Sequence, residues 1–96
     1  MKAYVYILTT AKNTTLYTGV SSDLISRLKK HLENFYQGSF TQKYNVKKLV
    51  YFELHPSISE AIKREKQIKA GSREKKIRLI ESINPDWNDL SGSLNS

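Results

Sequence analysis

The seven residues Ala3-Tyr4-Val5-Tyr6-Ile7-Leu8-Thr9 constrain the fold more than any other stretch of this chain. β-Branched and aromatic side chains dominate it, which is the pattern of a strand. Alternate residues of a strand face opposite ways. Tyr4, Tyr6 and Leu8 therefore lie on one side, and Ala3, Val5 and Ile7 on the other. Both sides are largely apolar, so the strand needs cover on both faces and belongs in the middle of a sheet.

The following residues supply its partners. Lys12-Asn13 marks a turn, and Thr15 to Val20 reads as a second strand, paired with the first as a hairpin. Ser21-Ser22-Asp23 is a helix N-cap cluster. The helix behind it carries Leu24, Ile25, Leu28, Leu32 and Phe35 at helical spacing, and Gly38 ends it. Residues 36–45 are polar and aromatic, with room for a short helical turn. Lys47 to Leu54 reads as a third strand, broken by His55-Pro56.

Ser57-Ile58-Ser59-Glu60 is a capping box that opens a second helix, with apolar positions Ile58, Ala61, Ile62 and Ile68. Ala70-Gly71-Ser72 stops it and caps the next helix, which carries Ile77, Ile80 and Ile83 and ends at Asn84-Pro85. This order predicts an α+β fold, a small antiparallel sheet flanked by helices. Residues 1–84 are expected to form a single domain, and 85–96 a C-terminal tail that is partly disordered.

Charge narrows the function. The chain has 16 Lys and Arg against 9 Asp and Glu, a formal net charge of +7. Eight of those cations fall between Lys63 and Arg78, beside Glu65 and Glu74. A concentration of this kind is the footprint of a polyanion binder, or else a solvated helical face. No apolar run approaches the ~20 residues that span a bilayer, so no membrane partner is expected. The absence of cysteine excludes a disulfide framework and thiolate metal sites, and fits a cytoplasmic location.

Three groups of residues could carry chemistry. Glu65 lies four after Ala61 and three before Ile68, so it shares the stripe that buries the helix. A carboxylate there needs an ion-pair partner or a metal. Arg27 and His31, four apart, share a helix face and either offer donors to a phosphate or form a solvated basic edge. Tyr6 and Tyr17 stand on the two hairpin strands, and a loop of about four residues would set them directly opposite each other. A phenol titrates near ~10 in water, so by themselves these two read as packing residues.

Taken together, these features resemble the GIY-YIG nuclease superfamily. Tyr4-Val5-Tyr6 is followed, after ten residues, by Tyr17-Thr18-Gly19, then by Arg27 on one helix and Glu65 on a later one. Arg27-Leu28-Lys29-Lys30-His31, Arg64-Glu65-Lys66-Gln67-Ile68-Lys69 and Asn84-Pro85-Asp86-Trp87 look like the small stand-alone bacterial members, the UPF0213 group. Two positions depart from the motifs: Tyr4 replaces the first glycine and Thr18 the second isoleucine. Gly19 is retained, which suits a close backbone approach.

The resemblance implies a three-stranded antiparallel sheet flanked by helices, with the site on the sheet face. It implies a metal-dependent endonuclease that hydrolyses phosphodiester bonds in nucleic acid, DNA in preference to RNA, with low sequence specificity. Glu65 would hold magnesium, or manganese in its place, with water and phosphate completing the shell. Arg27 would stabilise transition-state charge. Tyr6, assisted by Tyr17, would orient or deprotonate the attacking water. His31 would contact phosphate or relay a proton. Lys63, Arg64, Lys66, Lys69, Arg73, Lys75 and Lys76 would hold the backbone. The alternative is a non-catalytic DNA- or RNA-binding module of the same fold.

Overall fold

A computed structural model describes residues 1–32 and 45–95. The elements are β1 (Ala3–Thr9), β2 (Leu16–Ser21), α1 (Leu24–Leu32), β3 (Lys48–His55), α2 (Ile58–Ala70) and α3 (Arg73–Ile83), followed by a 3-10 turn at Ser91–Asn95. The three strands form one antiparallel sheet in the order β2-β1-β3. This is the expected α+β architecture, with the two-sided strand at its centre. The helix positions expected at Phe35 and Gly38, and the possible turn within 36–44, lie outside the described residues.

Each face of β1 meets its own core. On the first face, Ala3, Val5 and Ile7 pack with Val50, Tyr51, Ala61, Ile68 and Ile80, so α2 and α3 cover this side. On the second, Tyr6 and Leu8 pack with Leu24, Leu28, Val46 and Leu49, which puts α1 there. The register against β3 slips between Ile7 and Leu8: Ile7 faces Tyr51 while Leu8 faces Leu49, leaving Val50 as an extra, bulged residue.

The helix starts follow the sequence signals. Ser57 accepts from the Glu60 amide at 3.3 Å and Ser72 from the Lys75 amide at 3.2 Å. Asp23 Oδ1 accepts from the Ser26 amide at the start of α1. The apolar stripes are narrower than expected. Ala61 and Ile68 are buried on α2, but Ile58 and Ile62 are exposed; on α3 Ile80 is buried while Ile83 is 57% exposed. The third strand also runs one residue past Leu54, so His55 belongs to it rather than breaking it.

The segment beyond α3 returns along β3. Asn84 Nδ2 donates to the Val50 carbonyl at 3.0 Å and to the Asn88 carbonyl at 2.9 Å. The Leu90 amide donates to the Leu49 carbonyl at 2.7 Å. Leu90 and Leu94 then pack against the second-face core. One edge of the sheet is thus covered by the chain's own tail, and β2 forms the other edge.

The hairpin register differs from expectation. β1 ends at Thr9 and β2 begins at Leu16, so six residues connect them instead of about four. Asn13 takes a left-handed backbone, φ 60°, in that connection. Tyr6 then faces Gly19, and Tyr17 faces Leu8. The two phenols share a face but stand diagonally. A Cβ built on Gly19 would fall 2.6 Å from Cζ and Oη of Tyr6 and 3.1 Å from Cε2 of Tyr17. Gly19→Ala must therefore move a buried ring. It is expected to destabilise the fold by about 1–3 kcal/mol, read as a lower urea midpoint, and to change the near-UV circular dichroism of the tyrosines. A variant with both unchanged would contradict this packing.

Candidate active site

The second face of the sheet gathers three rings. The centroids of Tyr6 and Tyr17 lie 6.4 Å apart, those of Tyr6 and His31 6.3 Å, and those of Tyr17 and His31 5.9 Å. Two come from the paired strands and the third from α1, which packs across them through Leu24 and Leu28. The hydroxyl of Tyr6 lies 3.5 Å from Nε2 of His31, at the outer limit of a hydrogen bond.

The three rings differ in burial. Tyr6 is fully buried and His31 nearly so, whereas Tyr17 is half-buried. Tyr6, the phenol preferred from sequence as the base, sits beneath the surface, because the missing side chain at Gly19 lets its ring sink onto β2. Tyr17 is the phenol nearer to solvent. Arg27 is half-exposed one turn before His31, and its amide is bonded to the Asp23 carbonyl at the start of α1. Burial, reinforced by the positive charge of Arg27, pulls the His31 imidazole below its ordinary pKa of 6.5. Near neutral pH the ring is therefore uncharged and able to accept a proton.

Glu65 is placed differently. It stands on α2, whose buried residues Ala61 and Ile68 join the core on the first face. Its side chain is 15% exposed and pairs with Lys69 Nζ at 3.1 Å, one turn along the helix. The inward tilt read from the Ala61–Glu65–Ile68 stripe is present, with an ion pair as its partner. Tyr6, Tyr17, Arg27 and His31 thus assemble on one face, while Glu65 stands on the helix that covers the other.

The cations named from sequence also lie on the first-face helices: Lys63, Arg64, Lys66 and Lys69 on α2, and Arg73, Lys75 and Lys76 on α3. Arg73 donates to the Asn13 carbonyl at 3.3 Å, tying α3 to the hairpin loop.

A second polar cluster was not anticipated. Glu53 on β3 accepts from the Tyr51 hydroxyl, from His55 Nε2 at 2.7 Å and from Arg64 Nε at 2.8 Å. Burial alone would raise the Glu53 pKa, but these three donors outweigh it and hold the carboxyl below its ordinary value. Burial and the neighbouring carboxylate push the Tyr51 phenol up to about 12. The signal was available in Tyr51-x-Glu53-x-His55, a period-two polar run at a strand end, but only folding brings Arg64 to it.

Among the described residues, no three His, Cys, Asp or Glu side chains gather where they could hold a metal ion. A divalent cation can still bind through one or two carboxylates. That suffices for magnesium, which keeps most of its waters and binds substrate phosphate.

Comparison with known proteins identifies the family. Residues 2–78 match the GIY-YIG catalytic domain. The chain belongs to the GIY-YIG family, a nuclease family whose members act on nucleic acid and generally use divalent metal ions. It is similar to small proteins of the UPF0213 group. A UPF0213 protein of Syntrophus aciditrophicus is 41% identical over 85 residues, covering 88% of this chain and 95% of that one. One from Staphylococcus saprophyticus is 42% identical over 79 residues, covering 82% and 94%. The solution NMR structure of a UPF0213 protein from Bacillus halodurans superposes with a TM-score of 0.59 at 31% identity, covering 93% of each chain. No helix among the described residues is long and apolar enough to cross a membrane.

The buried, neutral His31 makes stability depend on pH. Its folded pKa lies below 6.5, so between the two values the unfolded chain binds the extra proton. Its contribution is fully present above pH ~6.5 and is lost as pH falls through that value toward the folded pKa. The His31 Cε1 proton is expected to titrate below 6.5 in an NMR pH series, and His31→Gln to flatten the acid side of the stability curve. A midpoint above 6.5 would contradict the burial.

Proposed function

We propose that this chain is a metal-dependent endonuclease that hydrolyses phosphodiester bonds in DNA with low sequence specificity. The observation that carries the proposal is the ring cluster Tyr6–Tyr17–His31 beside Arg27, in a chain of the GIY-YIG family. The half-buried phenol of Tyr17 would orient the attacking water. The neutral imidazole of His31 would take a proton from that phenol or water, with the buried hydroxyl of Tyr6 holding the ring in place. Arg27 would place its guanidinium on the phosphate oxygens as negative charge builds. When bound, a divalent cation would neutralise charge on the phosphate and leaving oxygen. Glu65 would be its protein ligand, exchanging Lys69 for the metal.

Glu65 and the phenols approach the sheet from opposite faces, so the substrate has to meet both. β2 supports this because it is an edge strand that carries Tyr17, and α2 packs beneath it. A phosphate at that edge could touch groups from either side. Lys63, Arg64, Lys66, Lys69, Arg73, Lys75 and Lys76 would attract the backbone without reading sequence, and binding would weaken steeply with salt.

The second reading, a binding module that does not cut, is favoured by one observation: the Glu65 carboxylate is already paired with Lys69. A panel of labelled duplex, branched and single-stranded DNA and RNA, with magnesium or manganese, separates the two readings. The nuclease reading expects metal-dependent cleavage, a loss of about 10²–10³ in kcat for Arg27→Ala, and no cleavage but retained DNA binding for Glu65→Gln. Salt-sensitive binding with no cleavage of any substrate selects the binding module. Normal cleavage by folded Glu65→Gln removes Glu65 from the metal site.

A further inference from the structure

The cleft between α2 and α3 lies on the first face of the sheet, away from the ring cluster. It has a volume of about 410 Å³, within the range of small-ligand sites. Its polar side chains are Arg64, Gln67, Lys75 and Lys76, and Ile68 and Leu79 give it an apolar floor. Among the described residues, no carboxylate lines it.

Hydrogen bonding makes this lining one of donors. Gln67 could present either end of its amide. Its Oε1 is taken by Nη1 of Arg64 at 2.7 Å, which leaves the NH2 end free to donate. Arg64 is held by Nε on Glu53 at 2.8 Å, by Nη1 on Gln67 and by a further hydrogen bond with Tyr51. These bonds hold the guanidinium in one orientation beside the cleft, which lowers the entropy cost of binding an anion there. Glu53, the acid that Arg64 bonds, is occupied by Tyr51, His55 and Arg64. Three cations and an oriented amide over an apolar floor suit an anion joined to a less polar body.

From these contacts we propose that the α2–α3 cleft is a binding seat for the phosphate of a nucleotide, either free or within a strand, separate from the ring-lined site. The donors would hold the phosphate, and Ile68 and Leu79 would take the face of the sugar or base. This rests on the polyanion reading of the basic run and not on cleavage.

The test is a ¹H–¹⁵N NMR titration of the full chain at constant ionic strength. The probes are inorganic phosphate, a nucleoside 5′-monophosphate, the same nucleoside without phosphate, and a short single-stranded oligonucleotide. Saturable shifts are expected at Gly71, Lys75, Lys76 and the Gln67 side-chain amide for the three phosphate-bearing probes, but not for the nucleoside. Tyr17 and His31 should stay unmoved by phosphate and mononucleotide. A free nucleotide is the ligand if the mononucleotide binds as tightly as the oligonucleotide, and a strand is the ligand if the oligonucleotide binds tighter.

Gln67→Glu keeps the shape and the bond to Arg64 but turns the free end into an acceptor. It is expected to weaken mononucleotide binding at least about tenfold; Lys76→Gln, on the neighbouring helix, should weaken it too. The seat is overturned if shifts spread evenly over exposed lysines such as Lys2, Lys12 and Lys29, or if folded Gln67→Glu binds like the parent chain. Oligonucleotide binding without localised shifts removes the seat alone. Failure to bind any oligonucleotide removes the polyanion reading as well.

Discussion

The ring of Tyr6 occupies the space that a side chain at residue 19 would fill. That contact fixes the hairpin register, because only a residue without Cβ can stand opposite a phenol that has sunk onto the neighbouring strand. It also determines what stands above the sheet. With Tyr6 lowered, Tyr17 takes the diagonal position nearer solvent, and His31 closes against both rings from α1. Burial then keeps that imidazole neutral. A single backbone approach thus links the strand pairing to the acid–base properties of the candidate site.

The central strand divides the molecule's chemistry between two faces. One holds aromatic rings, a guanidinium and a neutral imidazole. The other holds Glu65, most of the exposed cations and the Glu53 network. The sheet edge at β2 is where a substrate could join them, since β3 is covered by the returning tail. The division gives each face a separate electrostatic character: cations crowd the α2–α3 face, and a neutral imidazole sits on the ring face.

Local signals in the sequence carried well into the fold. The bounds of β1, the caps at Ser57 and Ser72 and the order of the elements were legible because each depends on neighbouring residues: side-chain alternation, a hydroxyl three residues before an amide, a glycine stop. The relative setting of Tyr6 and Tyr17 was not legible, because it depends on a connection of six residues rather than four. The burial of Tyr6 was not legible for a related reason, since burial is a tertiary property. Glu65 tilts inward as its spacing indicates, yet helical spacing cannot say which face of the sheet the helix will cover. The Glu53 network stayed hidden because Arg64 lies eleven residues away. The narrow stripe on α3, with Ile83 exposed, shows that spacing sets the direction of a face and not its width.

On the proposed function, one phosphodiester would touch both faces across the β2 edge. The most direct test is anomalous diffraction from manganese in crystals of the protein with a non-cleavable phosphorothioate oligonucleotide. The expected result is a manganese peak within bonding distance of a Glu65 oxygen, with a phosphate in contact with Arg27 and with Tyr17 beside it. A metal bound elsewhere, or a phosphate held by Arg27 with Glu65 still paired to Lys69, would contradict it.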